Sequence, residues 1–142
     1  MIVKFKKKDE FSKLPVKGSL FAAAHDAYAH SITVREDGKI VVGLGFSTDI
    51  PIGYKGILVP RSNLTKYNWV LNNSFGVIDA DYRGEWMAVF TPLQTGVDFP
   101  YELNDRVCQL FFEPVLTFEM QEVNDLTSSD RGNGGFGSTG VK

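Results

Sequence analysis

Short runs of alternating apolar and polar residues fill this chain, and turn-forming residues interrupt them every few positions. A helix needs a sustained periodicity of 3.6, whereas a strand needs only about four to eight residues of period two. Residues 2–5, 31–35, 39–46 and 56–59 read as strands, as do 69–71, 75–78, 86–90, 106–112 and 116–122. Asp37-Gly38 predicts a tight hairpin between the runs at 31–35 and 39–46. Residues 50–54 read as a turn, and 62–68 as one short helical turn. Many short strands at near-regular spacing predict an all-β barrel or sandwich. The 142 residues, 43% of them hydrophobic, suit one domain with its own core.

Charge and composition remove several function classes. The net charge of −2 argues against a nucleic-acid binder driven by phosphate neutralisation. Lys4, Lys6, Lys7 and Lys8 form a local basic run, which reads as an edge strand protected by lysines. The single cysteine, Cys108, has no partner for an internal disulfide. It lies in an apolar run and reads as a small buried hydrophobe. His25 and His30 fall in a loop-like stretch that does not suggest a metal site. No apolar stretch approaches the length needed to span a bilayer, and the N-terminus is charged rather than signal-like. The expected location is the cytoplasm, that of the host cell if the gene is viral or phage-borne.

Two segments carry chemistry. Residues 131–140 combine Arg131, five glycines, Phe136 and the hydroxyls of Ser138 and Thr139. Glycine gives up the most conformational entropy on ordering, so one reading is a disordered end. The other is a segment that orders over an anion. Its glycines bring backbone N–H groups close to phosphate oxygens, Arg131 offers a planar charged fork, and Phe136 offers a stacking face. The spacing is not that of a P-loop. The second segment is Gly76-Val77-Ile78-Asp79-Ala80-Asp81-Tyr82-Arg83-Gly84-Glu85. Apolar residues lead in and out, which predicts a hairpin with a long acidic tip. Such a tip is either a solvated turn or a place where a carboxylate takes a proton from water or holds a cation.

Five stretches, in order, resemble the five motifs of the trimeric dUTP pyrophosphatases (dUTPases). Ala23-Ala24-His25-Asp26-Ala27-Tyr28-Ala29 resembles the first, with Ala24 and Ala27 where the family has Gly and Leu. Pro60-Arg61-Ser62-Asn63-Leu64 resembles the second, with Asn63 at a position usually held by a small residue. Residues 73–85 resemble the third, Asn104-Asp105-Arg106-Val107-Cys108-Gln109-Leu110 the fourth, and 131–140 the fifth.

The resemblance implies a jelly-roll-like barrel over residues 1–123 and a glycine-rich arm over 124–142. It implies a homotrimer whose active sites gather motifs from all three subunits, the arm closing over a neighbour's site. The implied activity is hydrolysis of dUTP to dUMP and pyrophosphate by water attack at the α-phosphorus. Asp79 matches the family's catalytic base, and Asp81 is then structural, pairing with Arg83 or with another subunit. Tyr82 matches the ring that lies against the deoxyribose and leaves no room for a 2′-hydroxyl. Asn73, with nearby backbone amides, would pair with the uracil edge. Arg61, Ser62 and Gln109 would contact the phosphate chain. Arg131, Gly137, Ser138 and Thr139 would close on its end, and Phe136 would cover the base. Asp26 matches an aspartate that touches Mg2+ through water, the ion itself riding on the triphosphate.

Two rival readings accompany this one. A dCTP deaminase would share the fold, but those enzymes lack the 131–140 arm pattern. A trimeric nucleotide-sensing regulatory protein would keep the fold and use arm ordering to switch a partner. No nucleic-acid or membrane partner is expected.

Overall fold

A computed structural model describes residues 1–135. Its strands are β1 (Lys4–Lys7), β2 (Val16–Lys17), β3 (His25–Tyr28), β4 (Ser31–Val34), β5 (Ile40–Gly43) and β6 (Phe46–Asp49). They continue with β7 (Tyr54–Pro60), β8 (Trp69–Leu71), β9 (Gly76–Ile78), β10 (Met87–Pro92) and β11 (Arg106–Pro114). Among the described residues the only helical element is a 3-10 turn, Ser62–Lys66. None is long and apolar enough to cross a membrane.

The strands form three antiparallel sheets, ordered β4-β5-β10-β8, β2-β3-β11-β7-β9 and β1-β6. Between them lies a core whose largest fully buried side chains include Trp86, Phe46, Phe90 and Leu110. One aromatic chain runs from Phe5 through Phe46 to Trp86 and Phe112, with neighbouring centroids 5.3, 5.7 and 6.1 Å apart. The Trp86 indole donates to Thr48 Oγ1 at 3.0 Å, so its polar edge is satisfied within the core. Its ring lies against Gly56, where an added Cβ would overlap it. Glycine at 56 therefore lets β7 pass directly over the largest core side chain.

Several expectations meet a different outcome. The run at 39–46 is two strands, because Gly45 takes φ +75° and turns the chain between β5 and β6. The stretch around His25 is a strand, β3, not a loop. Its inward residues include the carboxylate of Asp26, which disguises the apolar alternation. The segment after Ile78 is not a hairpin: β9 pairs β7 in one sheet, while β10 pairs β5 and β8 in another. Residues 79–86 instead cross between sheets. Residues 116–122 form no strand, and Leu116, Phe118 and Met120 stand exposed. Their alternation is real, but a strand exists only where an edge pairs with it.

The lysine run behaves as read. β1 pairs only β6, Lys4 bridges to Asp49 and Lys8 to Glu85. Cys108 is fully buried, and that burial pushes its thiol well above the usual range.

Candidate active site

The site is built on the five-stranded sheet. β3 and β11 pair so that Asp26 faces Gln109, and Arg61 follows the last residue of β7, the other neighbour of β11. Three sequence candidates thus converge. Arg61 Nε donates to Asp26 Oδ1 at 3.0 Å, and Gln109 Nε2 donates to the same oxygen at 2.9 Å. Asp26 is 3% exposed. A buried carboxylate is costly unless paired and hydrogen-bonded, and here it holds both a cation and an amide in fixed directions.

Arg106 completes this node and was not singled out from the sequence. Its Nη1 donates to Asp26 Oδ2 at 3.1 Å, and its carbonyl accepts from Arg61 Nη1 at 3.1 Å. Arg106 and Gln109 are an odd number of positions apart, which in a regular strand puts them on opposite faces. A bulge between Arg106 and Cys108 brings both to the Asp26 face, with Arg106 opposite Tyr28. The carboxylate is outnumbered by two guanidiniums, so the node presents net positive charge suited to phosphate oxygens. Ser62, first in the 3-10 turn, is exposed beside Arg61.

Asp79 and Tyr82 lie elsewhere, on the crossing loop. Asp79 is exposed, and no side-chain donor among the described residues reaches its carboxylate. Tyr82 folds back so that its hydroxyl donates to the Glu85 carbonyl at 3.0 Å. A Cβ at Gly84 would overlap the Tyr82 ring, so glycine there permits this ring position. The two residues line a cavity of about 240 Å³ with Val77, Ile78, Glu85 and Met87. Arg83 does not pair with Asp81 as expected; its Nη2 reaches Asp49 Oδ1 at 2.7 Å. That carboxylate lies on a strand edge within reach, whereas Asp81 projects outward from the same loop.

Asn73 sits in the turn between β8 and β9, exposed, with its carbonyl accepting from Phe75 N at 2.6 Å. Ser74 takes φ +61°, an uncommon conformation for a residue other than glycine. Arg131 donates to the Gly134 carbonyl at 2.8 Å, within a turn of the exposed arm. Phe136, Gly137, Ser138 and Thr139 lie outside the described residues.

Within one chain, the two charged regions are held apart. β9 pairs β7 with Ile78 opposite Gly56, so one further step sets Asp79 beside the start of β7. Arg61 follows its end. β7 runs seven residues, roughly 20 Å of extended chain.

The metal expectation can be tested on the donor set. Among the described residues no three His, Cys, Asp or Glu side chains gather into a cage. Asp26 Oδ1 accepts two bonds and Oδ2 only one, which leaves Oδ2 room for one more donor. The residues would fit a magnesium ion that came with a triphosphate and kept its waters, with Asp26 Oδ2 as the acceptor open to one of them.

The dUTPase family model matches residues 11–140. A deoxyuridine 5'-triphosphate nucleotidohydrolase from Yarrowia lipolytica is 42% identical over 136 residues, covering 94% of this chain and 85% of the relative. A mutant dUTPase of Staphylococcus bacteriophage 80alpha, solved with dUpNHpp, has a TM-score of 0.83 at 22% identity and covers 99% of both chains. A mutant dUTPase from phage phi11 of S. aureus, described with a coordinated structural Mg(II) ion, has a TM-score of 0.74 at 19% identity and covers 88% of this chain and 98% of its own. With the family model matching residues 11–140 and a relative 42% identical over nearly the whole chain, the chain belongs to the dUTPase family.

Proposed function

We propose that this chain hydrolyses dUTP to dUMP and pyrophosphate by water attack at the α-phosphorus. The observation that carries the residue assignment is the contrast between the Asp26 node and the Asp79 loop. One is a pre-oriented cationic surface and the other an uncommitted carboxylate beside a tyrosine-lined cavity. Asp79 accepts the proton of the attacking water. Tyr82 lies against the deoxyribose and excludes a 2′-hydroxyl. Asn73 and the amides of its turn pair with the uracil edge, where the wrong base would leave polar groups unpaired. Arg61, Ser62 and Gln109 hold the phosphate chain, donating to oxygens that gain charge in the transition state. Magnesium bound with the substrate would neutralise triphosphate charge, and Asp26 would accept from its water shell.

The separation along β7 supports assembly from several chains. With β7 setting Arg61 and Asp79 at opposite ends of one strand, the Asp79 loop of one subunit meets the Arg61 node of another in a homotrimer. The arm, residues 124–142, closes over a neighbour's site. Arg131, Gly137, Ser138 and Thr139 take the terminal phosphate and Phe136 covers the base.

The test is incubation with each deoxynucleoside triphosphate and with UTP in magnesium, following pyrophosphate release. Turnover of dUTP with little action on dTTP, dCTP or UTP is expected. Comparable turnover of dCTP, or ammonia release from it, would transfer the reading to a deaminase. Light scattering should give a trimer, and an active monomer would refute the shared site.

A further inference from the structure

The crossing loop 79–86 joins two sheets and has few internal bonds. Tyr82 N donates to the Asp79 carbonyl at 3.2 Å, and the Tyr82 hydroxyl reaches the Glu85 carbonyl. Those two bonds alone would leave the loop free to sample many conformations, since each ordered residue costs about 1–2 kcal/mol of backbone entropy. Something must hold Asp79 and Tyr82 in register with a substrate that spans subunits.

Arg83 is placed to do so. Its Nη1 donates to the Ala80 carbonyl at 2.6 Å and also approaches the Tyr82 carbonyl at 3.3 Å and the Thr48 carbonyl at 3.5 Å. Its Nη2 donates to Asp49 Oδ1 at 2.7 Å, while Lys4 donates to Asp49 Oδ2 at 3.2 Å. One planar group thus gathers two carbonyls of the loop, that of Ala80 next to Asp79 and that of Tyr82 itself, and fastens them to the end of β6. The second end of the loop is fastened by Glu85, which accepts from Gly45 N at 2.9 Å and from Lys8 at 2.6 Å.

We propose that Arg83, anchored by Asp49, is a positioning residue that sets Asp79 and Tyr82 for the reaction. This rests on the assignment of those two residues to the site. The guanidinium and carboxylate are each about half exposed. Their pairing therefore adds little to global stability. Its effect is local: it selects one loop conformation, and a displacement near 1 Å can cost about a hundredfold in rate. Lysine cannot replace it fully, because an ammonium lacks the fork that spans carbonyls and carboxylate together.

The test uses the full chain and two measurements. In Arg83→Gln, amide hydrogen exchange should speed up across 79–86 and stay unchanged in β7 and β11. The value of kcat for dUTP should fall about a hundredfold, with KM moving far less. Asp49→Asn should act in the same direction more weakly, since Arg83 keeps its carbonyl bonds, and it serves if Arg83→Gln folds poorly. Arg83→Lys should restore part of kcat, and the double variant should be no worse than Arg83→Gln alone, because the two act as one unit. Unchanged exchange in the loop overturns the proposal, and so does faster exchange with wild-type kcat. If Asp79→Asn turns over normally, the base assignment fails instead, while exchange and kcat in the Arg83 and Asp49 variants still decide the clasp.

Discussion

Asp26 and Asp79 belong to strands of one sheet or their immediate extension, yet their surroundings are opposite. Asp26 is 3% exposed and receives Arg61, Arg106 and Gln109. Asp79 is exposed on a loop and receives no described side chain. A carboxylate that already takes three donors is engaged in aiming its partners. One that takes no side-chain donor keeps its lone pairs open to water. On the proposed reading, the same residue type serves orientation in one region and proton transfer in the other, according to how many donors reach it.

The largest effect expected from this contrast is on turnover. Asp79→Asn should lower pyrophosphate release about a hundred- to ten-thousand-fold while a non-hydrolysable dUTP analogue still binds. Wild-type turnover in Asp79→Asn together with loss in Asp81→Asn would exchange the roles of the two carboxylates.

Asp26→Ala should instead show itself in folding. It removes the shared acceptor of two guanidiniums and an amide, and because both guanidiniums keep access to water the loss should be about 1–3 kcal/mol, readable as a lower denaturant midpoint. A midpoint equal to wild type would erase the distinction drawn between the two regions.

Removal of 127–142 should sharpen the contrast further. On the proposed reading turnover should drop through loss of terminal-phosphate clamping and water exclusion, while the proposed trimer and the denaturant midpoint hold. Unchanged steady-state kinetics would leave the tail as a plain chain end.

The mildest change is Phe136→Ala, a partial version of the same loss, since stacking contributes about 1–3 kcal/mol per base. Comparison of KM for dUTP with and without the ring measures it.

Much of this was legible from residue order. The 3-10 turn after Arg61, the strand at Trp69–Leu71 and the burial of Cys108 follow from local pattern alone. Asp26, Arg61 and Gln109 were nameable through the motifs, but their meeting was not, because it depends on β3 and β7 flanking β11. Arg106 escaped notice because a bulge, invisible in composition, decides its face. β3 was missed because a buried carboxylate imitates a loop. The segment at 116–122 misled in the other direction: strand propensity is written locally, whereas pairing depends on what else lies alongside. The hairpin expected after Ile78 failed for a related reason, since apolar flanks cannot say which sheet each will join.

The burial of Cys108 has a practical corollary. As the chain's sole thiol, shut inside the middle strand of its sheet and held protonated, it should resist alkylation while the native state persists. A cysteine introduced on the crossing loop or the arm would then react alone, giving single-position dyes or spin labels on the untouched native background. Raised slowly toward unfolding conditions, the same silent thiol becomes a clock, its labelling rate recording how often β11 parts from β3 and β7.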